Sequence, residues 1–192
     1  MKKLVLGAVL VTGFVLASHA QKGSILLYGN VGFNSEKDAA ENKESSFNIN
    51  PGAGYQFADN WTAGVNLGYS QTKNNPALVG VPTTTWKFYN GGVFARYTKP
   101  LGSIFSIFGQ GNVGYAGSED FTGVKSNGFG VDVFPAVALN VHNGFALNFS
   151  FGGISYASTK TKGASESRNE FALNFGQQAL FGISKNFGGK KN

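Results

Sequence analysis

The sequence predicts an all-β fold in which eight antiparallel strands, joined up and down, close into a transmembrane β-barrel. Three observations predict it. Period-two alternation recurs in eight segments, with aliphatic and aromatic residues on one parity and Gly, Asn, Ser and Gln on the other. The connections between these segments alternate long and short. With 28 Gly, 18 Phe, 7 Tyr and only 14% charged residues, the composition suits extended strands with aromatic faces, and no stretch shows a helical period.

Residues 1–20 are set apart from the fold. Met1-Lys2-Lys3, an apolar run from Leu4 to Ala17 and Ser18-His19-Ala20 form the three-part layout of a cleaved secretory signal peptide. The run is interrupted at Thr12-Gly13 and falls short of the ~18 apolar residues of a membrane anchor. Residues 21–192 then form a single barrel domain. Without Lys2 and Lys3, the 16 basic residues become 14 against 10 acidic, an excess of four. These charges lie in scattered, mixed-sign segments, which argues against a nucleic-acid partner. There is no cysteine, so disulfides, thiol nucleophiles and Cys-based metal sites are excluded.

The first strand is read from Ser24 to Asn34, with Ile25, Leu27, Val31 and Phe33 on its apolar parity. A charged segment, Ser35 to Ser45, leads to a second strand that alternates from Phe47 to Phe57. Only Ala58-Asp59-Asn60 precedes the third, from Trp61 to Ser70, so these two form a hairpin. A polar segment with two prolines, Gln71 to Thr83, leads to strand four, about Thr85 to Tyr97. After the turn Lys99-Pro100-Leu101-Gly102, strand five runs from about Ser103 to Ala116, and the loop Gly117 to Ser126 follows. Strand six carries Phe129, Val131, Val133, Pro135, Val137 and Leu139 on one parity and turns at His142-Asn143-Gly144. Strand seven begins at Phe145. The Ala157 to Asn169 loop precedes strand eight, which holds Phe171, Leu173, Phe175, Phe181, Ile183 and Phe187 on one parity.

Long connections at one end and short turns at the other are the asymmetry of outer-membrane barrels, which places both termini in the periplasm. Alternation alone leaves open which parity faces inward; the polar parity decides. A soluble barrel would carry Lys, Glu and Arg on its outer face, whereas this parity is mostly Gly, Asn, Ser and Gln, which suits a confined interior. The charges collect in the long connections, at Glu36, Lys37, Asp38, Glu41, Lys43 and Glu44, and at Lys160, Lys162, Glu166 and Arg168. Aromatic girdles are expected at the turn end from Tyr55, Phe57, Trp61, Tyr97, Phe105 and Phe145, and at the loop end from Tyr69, Trp86, Tyr115 and Tyr156. Leu26, Tyr28, Phe94, Phe108 and Phe134 share the inward parity and would plug the lumen.

The segment Gly91-Gly92-Val93-Phe94-Ala95-Arg96-Tyr97 before a Pro-containing turn, and Phe181-Gly182-Ile183-Ser184-Lys185-Asn186-Phe187, resemble the small eight-stranded outer-membrane barrels of the outer membrane protein A and OmpX-like family. The resemblance covers most of residues 21–192. It implies integral insertion in the bacterial outer membrane and contact with its lipid and lipopolysaccharide. It also implies that Phe187, on the terminal strand, serves as an assembly signal for the barrel-assembly machinery.

Candidate chemistry inside the barrel is sparse. Arg96, Gln110, Asn112 and Asp132 lie on the inward parity and are candidates for a lumenal polar network; alternatively, Arg96 and Asp132 each reach water near a barrel mouth. His142, the one histidine outside the signal peptide, falls in a periplasmic turn far from the outer leaflet, which argues against a Ser-His hydrolase, so no catalytic site is assigned. No metal or cofactor is expected either. The leading expectation is a non-enzymatic barrel with a structural role, or a role in surface interaction through four external loops whose partner the sequence does not name. The alternatives are a narrow OmpW-like transporter for small or apolar solutes and a secreted soluble ligand-binding barrel.

Overall fold

The computed structural model describes residues 22–78 and 80–188. The signal peptide expected over residues 1–20 lies outside them. Eight antiparallel strands follow one another around a closed barrel: β1 (Ile25–Lys37), β2 (Lys43–Gln56), β3 (Trp61–Asn75), β4 (Thr84–Pro100), β5 (Phe105–Glu119), β6 (Lys125–His142), β7 (Phe145–Thr161) and β8 (Arg168–Phe187). Each pairs with its sequence neighbours, and β1 closes on β8. Among the described residues there is no helix.

The apolar parity faces outward. Ile25 is 50% exposed, Val65 55% and Leu173 60%, while the inward Leu26, Thr62, Gln110 and Ser184 are buried. So broad an exposed apolar belt cannot persist in water, and the soluble-barrel alternative falls with it. A bilayer permits only closed sheets, because an unpaired amide in hydrocarbon costs several kcal/mol.

The strands run further than composition suggested. Ser35 to Ser45 read as loop, yet the β1–β2 ladder continues through Glu36↔Glu44 and Lys37↔Lys43, leaving only residues 38–42 as connection. Likewise Glu119↔Lys125 extends β5–β6, and Lys160 and Arg168 lie within β7 and β8. Charge marks where a strand leaves the bilayer and not where it ends, since ladder hydrogen bonds form equally well in water. The connections at this end are 38–42, 76–83, 120–124 and 162–167, and at the end carrying the termini 57–60, 101–104 and 143–144. The last of these is Asn143-Gly144 with φ of 46° and 76°, the left-handed pair that a two-residue hairpin with strand-matched twist requires.

One irregularity re-aims a whole strand. Between Ser150↔Leu180 and Gly152↔Phe175, a single residue of β7 faces four of β8, and β7 also gains a residue against β6. The outward parity of β7 accordingly changes from Phe149 and Phe151 to Ile154 and Tyr156, a shift of the kind a bulge produces. Gly152 sits at the pivot with φ of 107°, and a Cβ there would strike the Asn174 carbonyl oxygen. Gly152→Val is therefore expected to destabilise the barrel by about 3 kcal/mol, read as a lowered urea midpoint in lipid vesicles. An unchanged midpoint would show that the pivot tolerates a side chain.

Candidate functional site: the barrel interior

Inward residues divide the interior into three layers. At the terminal end, Phe108, Ala136, Ala138 and Ala146 form a small apolar cluster, with Phe134 packed edge-on against Phe108 at 6.4 Å between ring centroids. Beside it Ser24 donates to Gln56 Oε1 (3.3 Å) and Asn140 to Ser106 Oγ (3.2 Å), and the space remaining is about 50 Å³.

The middle layer is built around Arg96, which β4 projects inward beside Phe94. The side chain is buried, and its guanidinium carbon lies 4.2 Å from the Phe108 ring centroid, 4.7 Å from Tyr28 and 5.8 Å from Phe94. Tyr28 and Phe94 meet edge to face at 5.2 Å. Three ring faces thus stabilise the cation where water cannot. Its Nε donates to Gln110 Oε1 (2.7 Å), and Gln110 Nε2 donates onward to the Tyr28 hydroxyl (3.2 Å) and Asn112 Oδ1 (2.9 Å). Asn112 in turn donates to Asp132 Oδ2 (2.6 Å), and Asn66 donates to Asn112 Oδ1 (2.9 Å). All four residues singled out for a lumenal network thus lie in one hydrogen-bonded chain. Arg96 and Asp132 make no direct ion pair among the described residues; two amides relay between them. Sequence reasoning placed Tyr28, Phe94 and Phe108 inside but missed their role as a cation cage, and it missed Asn66, whose parity was the available signal.

Above this floor, towards the long connections, lies a cavity of about 910 Å³ into which Asn30, Asn50, Asn90 and Asn148 also turn. Asn50 donates to Asn30 Oδ1 across the β1–β2 pair (2.8 Å). The walls present amides, hydroxyls and glycines. His142 ends β6 at the opposite end of the barrel, and no cluster of three His, Cys, Asp or Glu occurs among the described residues.

The girdles are aromatic at both rims, with one correction. At the terminal end Trp61 and Tyr97 pair at 5.2 Å beside exposed Tyr55, Phe57 and Phe105; at the other, Tyr69, Tyr115 and Tyr156 face outward. Trp86, expected on the lipid side, shares the parity of Phe88 and Phe94 and packs on Phe121 at 5.4 Å. The unbroken β3–β4 register sets its side. Phe187 pairs with Ile25 on the closing seam and stays exposed, with Lys185 Nζ 5.6 Å from its ring.

The connections are knitted by carboxylates. Asp120 accepts from the Thr122 hydroxyl (2.7 Å) and from the amides of Thr122 and Val124; Asp38 accepts from the Asn42 side chain (2.8 Å) and amide. The Thr122 hydroxyl above all, with the turn amides adding to it, holds the Asp120 carboxyl below its ordinary value. A carboxyl depressed by folding contributes stability that is full above its unfolded pKa, about 3.9, and is lost as pH falls through the folded value. The Thr122 and Val124 amide shifts are therefore expected to titrate with a midpoint below that reference, and Asp120→Asn to abolish the titration. A midpoint at or above the reference would contradict the turn.

Among solved structures the chain is similar to Ail, the attachment invasion locus protein of Yersinia pestis, at 16% identity and a TM-score of 0.39, over 87% of this chain and all of that one. That likeness is too loose to bear on function. No curated protein matches the sequence. A family model for the outer membrane protein beta-barrel domain matches residues 6–187. Spanning nearly the whole chain, that match shows that the protein belongs to the outer membrane protein beta-barrel domain family, an integral barrel of the bacterial outer membrane.

Proposed function

We propose that the protein is a non-enzymatic barrel that sits with both termini in the periplasm and its four long connections outside the cell. There it supports the envelope or offers a surface to an external partner. The observation that carries this reading is the occupied middle layer: Arg96, its three rings and Gln110 cross the lumen, so the outward connections are where it meets other molecules. An eight-stranded interior is just wide enough for side chains to fill. Among the described residues the interior carboxylate, Asp132, is hydrogen-bonded to Asn112 and no interior hydroxyl is hydrogen-bonded to a carboxylate or imidazole, which supports a non-catalytic role.

Orientation is tested by protease treatment of intact cells. Cleavage within 162–167, at Lys162, is expected, with a C-terminal tag protected until the envelope is breached. Loss of the tag on intact cells would reverse the orientation. Insertion is tested separately by migration on a detergent gel before and after boiling. Reproducible single-channel steps in a planar bilayer would put the narrow-transporter reading first.

Outer-membrane phospholipid and lipopolysaccharide are the partners that the outward belt requires. Phe187 is the residue that the barrel-assembly machinery would read, being an exposed aromatic on the closing strand. Phe187→Ala is expected to reduce the amount of heat-modifiable barrel in the membrane and to leave unassembled chain behind. Unchanged assembly would remove the signal from this residue.

A further inference from the structure

The seam that closes the barrel is paired along only part of its length. Among the described residues, β1 and β8 share a ladder from Ile25↔Phe187 to Gly29↔Ile183 and no further. Beyond it β1 continues through Asn30 to Lys37, paired with β2, and β8 extends back to Arg168, paired with β7 over residues 180–182 and again over 168–175. The other seven pairs run nearly the full length of their strands. Side chains beside the seam lack a neighbour across it: Val31 is 70% exposed and Phe33 75% on one edge, Phe171 69% and Phe181 67% on the other. These are apolar residues on the outward parity, so the gap lies at membrane depth.

The gap joins two spaces of opposite character. Inside is the cavity of about 910 Å³ with its asparagine side chains. Outside, on the lipid face, a groove of about 540 Å³ runs over the seam, walled by Leu27, Ile49, Leu147, Phe149 and Phe181. Gly29, Asn30, Asn148 and Gly182 border both spaces. At this notch Gly182 faces inward with no side chain, and a Cβ there would meet only the Gly29 carbonyl oxygen, at 3.4 Å. Unpaired strand edges are expensive in hydrocarbon, and a polar group lying between them answers their free amides and carbonyls.

We propose that the β1–β8 seam is a lateral portal, and that the cavity behind it binds the polar head of a single-chain amphiphile whose alkyl tail lies in the outer groove. The head meets side-chain amides that both donate and accept, so it is recognised by hydrogen bonding and not by net charge. The tail meets aliphatic and aromatic walls while remaining in the bilayer. Arg96 and its rings close the lower side of the cavity, which leaves the seam and the mouth above as ways in, and only the seam lets the tail stay in the bilayer. This inference rests on the barrel being inserted in a membrane, as proposed above.

The test uses the whole barrel in lipid nanodiscs with lysophosphatidylcholine carrying a nitroxide on its choline head. In an intact wall the side-chain amides of Asn66 and Asn112 would be shielded from a lipid headgroup; through the portal they come within reach of it. Loss of their NMR signals by paramagnetic broadening is expected. Because the chain has no cysteine, Asn30→Cys with Gly182→Cys, one step beyond the last paired residues, provides a removable staple. Oxidation is expected to restore the two amide signals and reduction to lose them again. Gly182→Phe, which fills the notch without cross-linking, is expected to act like the staple. Signals unaffected in the unstapled protein, or broadened equally in the oxidised and Gly182→Phe proteins, would overturn the portal, the latter by showing entry through the open mouth. A barrel that is heat-modifiable yet shows no broadening removes the portal alone, whereas failure to insert removes the membrane reading as well.

Discussion

Arg96→Ala is expected to lower the stability of the folded barrel by about 3 kcal/mol. The substitution leaves Gln110 Oε1 without its donor in a buried layer, and it opens a void between the Tyr28, Phe94 and Phe108 rings. Both effects act in the same direction. Arg96→Met separates them, because methionine refills much of the volume against the rings while removing charge and donor. Replacing a buried ionic group by an apolar side chain of similar size is often neutral, so this variant is expected to lie within about 1 kcal/mol of the parent. Urea unfolding in lipid vesicles, followed by tryptophan fluorescence, compares all three proteins. If methionine is as damaging as alanine, the hydrogen bond to Gln110 holds the layer together; if neither is damaging, the cage has no structural role.

Val65→Lys is expected to cost about 3 kcal/mol, the range for a cation placed on the lipid face at the bilayer midplane. Val65 lies midway along β3 between Trp61 and Tyr69, which mark the two rims on this strand, and it pairs with Ala53 and Val93. Its neighbour Asn66 faces the lumen, and Asn66→Ser, which removes one hydrogen bond to Asn112, is expected to cost about 1 kcal/mol. The contrast between adjacent positions is the informative quantity. Equal costs at 65 and 66 would mean that the two faces of β3 do not meet lipid and lumen as described.

Most of the strand order was legible from local pattern. Period two survives wherever one face is apolar and the other small and polar, so Phe47 to Tyr55 and Trp61 to Tyr69 needed no tertiary information. Strand ends were less legible, because Glu36, Lys37, Lys43 and Glu44 look like loop in composition although they continue a ladder in water. Trp86 was assigned to the wrong face for a related reason. The blurred alternation at Trp86, Phe88 and Tyr89 has aromatics on both parities, and only the register with β3 resolves which points where. The β7 irregularity was unread too: Gly152 is one glycine among 28, and what distinguishes it is the approach of the Asn174 carbonyl from another strand.

The inward position of Arg96, Gln110, Asn112 and Asp132 followed from counting along each strand, a property of local covalent geometry. Their connection did not, because Arg96 meets Gln110 only through the β4–β5 stagger, and Tyr28 reaches both from β1 across the lumen. By itself the sequence determined eight strands, their alternating connections and the chemistry of each face, since these depend on neighbours in the chain. The cation cage, the pivot at Gly152 and the partial seam between the first and last strands were decided by tertiary structure alone. Each depends on how far strands slide past one another when the sheet curls shut, and shear is a property of the closed barrel that no single segment encodes.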